Sequence, residues 1–451
     1  MIMSKEANSS SYNIEAMRPL KECLQETQFK NTENFIGITL SEEIISNQTA
    51  VPKNRSPELQ LAQSMLSKDQ QMIINKLADV PDACKKGKCQ FEAKEDKSHR
   101  GLDCISIFKH KDDPNHYYGL YHALDASISN FNLYLAKSKN GINNWQDVKL
   151  IDQYASQGRQ WMSPNGNDII VAYEQSNASF SGNSIRLKHY ESLDALKQGK
   201  AKDRLDLPNT LVEKCCEGTP SFEGFDRWEG DLKSSKFTLR LHYLMETHTK
   251  EHNHDQQAFG HYDGLFKAPS NKSKISSFFT VDVPNFINNL FQLEKPKKKS
   301  KAKADSNAQA PSMNQSSSLA VKQTAPWTAV TLPQVNQQIS SLGFHGNIGQ
   351  RSRFTWKGES YYLVEAQDCY DCWNTWRIVL CDKNMSPLAV LPIHGVKGED
   401  DKKGQSLTYA NPFIGQIDNE SHAVVSLFMP KEGNRDGEIG ELIYHVNFDQ
   451  V

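Results

Sequence analysis

Two carboxyl groups that face each other across a shared funnel can divide the work of an acid–base hydrolysis. One stays ionised and activates water; the other is kept protonated by its surroundings and protonates the leaving oxygen. In this chain the acids in position to do so stand beside strand-like runs. Asp103 closes the stretch Ser98-His99-Arg100-Gly101-Leu102-Asp103, directly before the apolar run 104–109. Glu217 opens Glu217-Gly218-Thr219-Pro220, and Glu174 ends the run 168–174. Around them are groups that could hold a sugar or balance charge: His99, Arg100, the pair His254-Asp255, Arg351, Glu365 and Asn411.

Each of these residues also has a purely structural reading. Asp103 and Glu217 could be turn or cap residues at strand ends, and Arg351 could merely neutralise a neighbouring acid. His254 lies among His248, His252 and His261, which suggests a metal, but residues 251–255 read equally well as a polar loop. Cys369-Tyr370-Asp371-Cys372 has a zinc-like spacing, yet no second such pair or spaced histidine pair accompanies it. No metal and no cofactor is therefore assigned. The cysteines number nine, so they cannot all pair within one chain, and reduced thiols are expected.

The elements that must position these groups are short β-strands. Runs 104–109, 117–123 and 133–137 follow one another, broken by Asp112-Asp113-Pro114-Asn115 and Asp125-Ala126-Ser127, both good turn formers. A polar turn through Lys139-Asn140-Gly141 then leads to Trp145. The same kind of unit recurs at 168–190, with a short rim helix expected near 191–200, and at 218–260. It returns at 353–381 and at 409–446. Five such meanders, each roughly 45 to 60 residues, predict an all-β, five-bladed β-propeller. A two-sheet sandwich is the rival, but it gives no reason for similar units of this period. In a propeller the innermost strands converge, so residues at their entrances line one funnel.

Two segments fall outside that pattern. Residues 1–95 form an N-terminal extension in which two amphipathic helices are expected. The first has Ser56-Pro57-Glu58 at its start; the second has a capping box from Ser67 to Gln70 and stops at Pro81. They could pack on the side or base of the propeller, or receive a protein partner. The propeller itself is assigned to 96–451, with strands lost over about 271–340 and a low-complexity insertion at about 285–326. The Lys-, Ser- and Gln-rich middle of that insertion cannot bury enough apolar surface to offset its ordering entropy.

Bulk properties exclude some classes of function. A net charge of -2 gives no global reason to bind nucleic acid or an anionic membrane. No apolar run approaches the roughly 18 residues of a spanning helix. The start of the sequence has no apolar signal segment, so a cytoplasmic location or export by a non-classical route is expected.

Several motifs together resemble a known family. His99-Arg100-Gly101-Leu102-Asp103, Tyr118-Gly119-Leu120-Tyr121-His122, Leu135-Ala136-Lys137-Ser138 with Trp145, and Glu217-Gly218-Thr219-Pro220 are similar to five-bladed propeller glycoside hydrolases. The likeness is to the family 43 arabinanase and β-xylosidase group and its relatives. Gly346 to Arg351, Ala410-Asn411-Pro412 and Gly440-Glu441-Leu442-Ile443-Tyr444 look like the later blades. The resemblance spans about 98–270 and 340–447. It implies Asp103 as general base and Glu217 as general acid of an inverting hydrolase with a carbohydrate substrate. The family's second-blade Asp, which tunes the acid, has no counterpart near Gln160-Trp161-Met162-Ser163-Pro164; Glu174 is the candidate replacement. The alternative is a non-catalytic propeller that binds a glycan or a protein through the same funnel.

Overall fold

The computed structural model describes residues 66–80, 84–85, 88–89, 101–125, 127–176, 182–211, 217–245, 254–266, 278–281, 319–322, 325–368, 375–391, 410–418, 421–429 and 440–449. His99, Arg100, Cys369, Cys372, the first expected N-terminal helix and the middle of the insertion lie outside these residues.

The described part of the chain begins with helix α1 (Lys68–Ala78) and a ladder of two two-residue strands, β1 (Cys84–Lys85) and β2 (Lys88–Cys89). Five antiparallel sheets follow. The first blade is β3 (Asp103–His110), β4 (Asp113–Asp125), β5 (Asn130–Asn140) and β6 (Asn143–Gln153). The second is β7 (Ala155–Met162), β8 (Ile169–Ser176), β9 (Asn183–Tyr190) and β10 (Asp203–Leu207), with helix α2 (Leu193–Gln198) before its last strand. The third is β11 (Glu217–Arg227), β12 (Lys236–Met245), β13 (His254–Asp263) and β16 (Trp327–Thr331). Between the last two of these strands stands a separate ladder of β14 (Phe278–Val281) and β15 (Leu319–Lys322). Helix α3 (Pro333–Ser341) leads to the fourth blade: β17 (Ile348–Trp356), β18 (Glu359–Ala366), β19 (Arg377–Cys381) and β20 (Pro387–Val390). The fifth has three strands among the described residues: β21 (Ala410–Asp418), β22 (His422–Met429) and β23 (Gly440–Asn447).

The first strands form the inner ring. β3 touches β7, β7 touches β11, β11 touches β17, β17 touches β21, and β21 returns to β3. Apolar side chains on both faces of the blades fill the spaces between neighbours. Leu120, Leu133 and Leu135 of the first blade meet Val171 and Tyr173 of the second. Ile170 and Leu187 of the second meet Phe237 and Leu239 of the third. Phe413, Val424 and Ile443 of the fifth meet Leu102, Ile105 and Ile107 of the first, which closes the ring. Burying both faces of a sheet while leaving only short edges is how a propeller satisfies its strands.

The turn expected before Trp145 is present. Asn140 pairs with Asn143 across a two-residue turn in which Gly141 has φ +55°, a conformation that costs glycine little. The indole of Trp145 then donates to the carbonyl of Ile142 at 2.7 Å.

Two features differ from the sequence reading or sharpen it. The strand pattern does not lapse over the whole of 271–340. β16 completes the third blade after the insertion, with Phe259 pairing to Val330 and His261 to Thr328. Trp327, 4% exposed, covers Gly260, where a side chain would collide with the indole ring. Five residues are too short a run for periodicity to register as a strand away from its neighbours. Helix α3 then wedges Val335 and Ile339 against Ile348, Tyr362 and Val364 of the fourth blade.

Helix α1 carries the capping box read from the sequence: Gln70 N–H donates to Ser67 Oγ at 3.1 Å, and Ser67 N–H donates to Gln70 Oε1 at 2.9 Å. Its apolar stripe of Ile73, Ile74 and Leu77 is buried between Phe354 and Trp356 of the fourth blade and Tyr444 and Phe448 of the fifth. The helix packs on the propeller's side as part of its core.

Candidate functional site at the entrance of the inner strands

The same backbone device appears near the start of all five inner strands. Each ladder slips by a β-bulge: between Asp103 and Ser106, Ser156 and Arg159, Gly218 and Ser221, Ile348 and Arg351, and Ala410 and Phe413. In four of them a bulged residue takes positive φ: Cys104 (56°), Gln157 (55°), Thr219 (44°) and Asn411 (47°). A bulge takes an amide out of the strand ladder, and a buried amide needs another acceptor. Pro220 and Pro412 directly follow two of these residues. Proline, which has no N–H, is tolerated where the ladder is already broken.

The acceptors come from the preceding blade. Gln157 N–H donates to His122 Nδ1 at 3.3 Å, Thr219 N–H to Glu174 Oε1 at 2.6 Å, Asn411 N–H to Glu365 Oε2 at 2.6 Å, and Cys104 N–H to Glu441 Oε2 at 3.1 Å. Between the third and fourth blades the polarity is reversed, and Gln257 Nε2 donates to the carbonyls of Ile348 and Gly349 at 2.8 and 2.7 Å. Gly218 and Gly349 are glycine for a steric reason: a β-carbon would sit on Glu174 Oε1 in one case and Glu365 Oε1 in the other. Each blade thus reaches across to fix the entrance of the next.

Within this ring the candidate residues have different surroundings. Asp103 pairs with His122 in the ladder and is buried, with Oδ1 lacking a hydrogen-bond partner among the described residues. Burial pushes its pKa up from 3.8 to about 7. Glu174 is also buried, and burial opposes its charge. The hydrogen bonds and charge of His242, together with the amide and hydroxyl of Thr219, outweigh that cost and hold its pKa down to about 2. Glu174 is therefore a fixed anion. Glu217 is 1% exposed, and its Oε1 accepts the amide hydrogens of Thr210 and Leu211 in the segment leading into the third blade. Glu365 is buried at the entrance of the fifth blade, against half-buried Asn411. Only the backbone is described for His254, Asp255 and Arg351, in β13 and β17.

Four neighbours of Asp103 have no role in the sequence reading, although His122 and Glu441 stand in its motifs. Arg159, 4% exposed, donates from Nη1 to the carbonyls of Gly158 at 2.8 Å and Cys104 at 3.3 Å, with its guanidinium over the ring of Phe413. Burial lowers its pKa to about 10, while the fields of Cys104, Glu441, Glu365 and Glu174 oppose the change. It remains a cation among carboxyl groups. Glu441 is fully buried, and burial and the charge of Asp103 raise its pKa well above 4.5. His122 is kept neutral at ordinary pH, its pKa lowered by burial to about 4. Cys104 is a buried free thiol. The available signal was positional: Arg159 stands two residues after the bulged Gln157, in the part of its strand where Ser106 stands in the first blade.

A separate cavity of about 290 Å³ lies between α1 and the fourth blade, lined by Ser67, Asp69, Gln70, Trp356, Lys357 and Asp382. It contains none of the carboxyl groups described above and plays no part in the site.

No family model matches the chain, and no curated protein matches it. Several solved structures are similar to it in chain course. One described as a glycoside hydrolase has 9% identity over 84% of this chain and 95% of its own, with a TM-score of 0.45. A Cellvibrio cellulosa alpha-L-arabinanase complexed with arabinohexaose has 7% identity over 77% of this chain and 91% of its own, with a TM-score of 0.38. A GH43 endo-arabinanase from Bacillus licheniformis has 11% identity over 78% and 96%, with a TM-score of 0.34. At these values the similarity assigns no residue and no reaction.

Proposed function

We propose that this propeller is a glycan-acting hydrolase in which Asp103 is the general base and Glu217 the general acid. The observation that carries the reading is Asp103: a buried carboxyl at the entrance of an inner strand, with its pKa raised to about 7. A base poised near neutrality combines availability with proton affinity. The acid must be kept protonated, and Glu174 supplies a reason. Its carboxylate, held ionised, abuts Gly218 and Thr219, the two residues after Glu217. A fixed negative charge beside a carboxyl group favours its neutral form, against the two amide donors on Glu217 Oε1, which favour the charged one. Glu174 would thus do from β8 what the sequence resemblance implies for a second-blade aspartate. An oxygen accepting two amide hydrogens cannot carry the proton, so Glu217 would donate from Oε2. Arg159, and His99 and Arg100 ahead of Asp103, would supply positive charge and donors for sugar hydroxyls.

A second reading has an observation of its own. Glu174, Glu365 and Glu441 are each engaged with the backbone of the next blade, so these carboxylates have a structural task without any reaction. This favours a propeller that binds a glycan without cleaving it.

The deciding experiment screens aryl glycosides and plant and microbial oligosaccharides with the wild type, Asp103→Asn and Glu217→Gln. The hydrolase reading expects each substitution to lower kcat by 10²-fold or more. A good leaving group should partly restore Glu217→Gln but not Asp103→Asn. Full activity in both variants removes the assignment. Glycan binding without turnover supports the second reading.

A further inference from the structure

The last strand of the chain contributes a carboxyl group to this entrance that the acid–base assignment leaves without a role. Glu441 reaches from β23 across the junction that closes the ring, and its Oε2 accepts the amide of Cys104, the residue after Asp103. Its Oε1 is buried and lacks a hydrogen-bond partner among the described residues, as does Asp103 Oδ1. Two carboxyl groups thus share one poorly solvated place. Ser426, beside Glu441, directs its hydroxyl to the carbonyl of Ile105 at 2.9 Å, so its proton is already engaged. The other titratable or charged groups facing the pair are Cys104 on its own strand, His122 on β4, Arg159 on β7 and Glu365 on β18. His122 is neutral, which leaves Arg159 as the cation described there, set against several acids.

We propose that Glu441 is a positioning residue for Asp103: it holds the shared proton as a neutral acid while its Oε2 fixes the Cys104 amide, leaving Asp103 as the group that ionises. As a role in catalysis this rests on the reading of Asp103 as the base; as a statement about the pair it does not. Two like charges this close cannot both be carried in a buried site, so one carboxyl group must keep its proton. Asymmetry of burial decides which one. Glu441 is 0% exposed and Asp103 is 7% exposed, so desolvation falls harder on Glu441. No atom is transferred to substrate by Glu441. Its proton stays in place while Asp103 exchanges its own with water.

The test is a carboxyl-¹³C NMR titration of the full-length protein labelled at Asp Cγ and Glu Cδ, comparing the wild type with Glu441→Gln. Glutamine keeps the acceptor for Cys104 N–H and mimics the neutral acid. One Glu signal, other than any lost in Glu217→Gln, should remain protonated through neutral pH in the wild type and be absent from the Glu441→Gln variant. The Asp103 midpoint should move by less than about half a unit, because no charge has been removed. A fall of about one unit or more in that midpoint means that Glu441 was ionised, and overturns the proposal. If the substitution removes no protonated Glu signal, the proposal is overturned too. If the variant does not fold, the wild type and Glu217→Gln together are sufficient: every Glu signal ionised at neutral pH, apart from any lost in Glu217→Gln, is the overturning result. The measurement needs no substrate, so its outcome is separate from whether any glycoside is cleaved.

Discussion

Replacing Asp103 by Asn should change stability in a pH-dependent way, the variant gaining on the wild type as pH rises. The ordinary Asp pKa is 3.8 and burial raises that of Asp103 to about 7. The folded protein therefore binds this proton more tightly than the unfolded chain does. Stability from this group is full at low pH and is lost as pH rises from about 4 to about 7. The difference is roughly three units, and at 1.36 kcal/mol per unit it amounts to about 4 kcal/mol. Asn carries no charge to desolvate, so Asp103→Asn escapes that loss. Urea unfolding of both proteins at pH 4 through pH 8 isolates the effect, because every other titrating group is common to the two. Any fixed cost of the substitution appears equally at each pH. The stability of the variant relative to wild type should rise across this range by several kcal/mol, with about 4 kcal/mol as the ceiling. A difference that stays flat within about 1 kcal/mol would mean that Asp103 ionises as an ordinary surface carboxyl. Such a result would falsify the claim that burial prepares it as a base.

Two further outcomes test the frame around the site. Leu77→Ala removes a side chain that is 1% exposed between the fourth and fifth blades, and should cost about 2–5 kcal/mol in urea unfolding; a change below about 1 kcal/mol would show that α1 is not part of the core. His189 is buried between Asp168 at 2.8 Å and Asp203 at 3.7 Å. Burial disfavours its charge, but the two carboxylates outweigh burial and raise its pKa above 6.5. The stability it contributes is fully present below about 6.5 and is lost as pH rises through the folded value. His189→Gln should flatten that part of the stability–pH curve, and an unchanged slope would count against a charged imidazole there.

Much of this protein could be read from local pattern. Aromatic- and apolar-rich runs separated by Asp-, Asn- and Gly-rich turns declared the strands, since a strand buried on both faces reads as a short continuous apolar run bounded by turn formers. Ser67 and Gln70 declared a helix start, because a capping box is completed within four residues. Asp103 and Glu174 stood out as acids at strand ends, and both are buried at the entrances of inner strands. Chemistry that depends on strands distant in sequence was not legible in this way. β16 belongs to the third blade only because β13 waits for it across the insertion. Glu441 matters to Asp103 only because the ring closes, bringing together residues 337 apart at Cys104 and Glu441. Arg159 carries no local signal; its place beside Cys104 and Phe413 exists only because β3, β7 and β21 meet in the inner ring. The opposite fates of Asp103, raised to about 7, and Glu174, lowered to about 2, are set by burial on one side and by Thr219 and His242 on the other. Sequence supplies the carboxyl groups; their protonation depends on desolvation and on partners from other blades, and only the tertiary structure decides these.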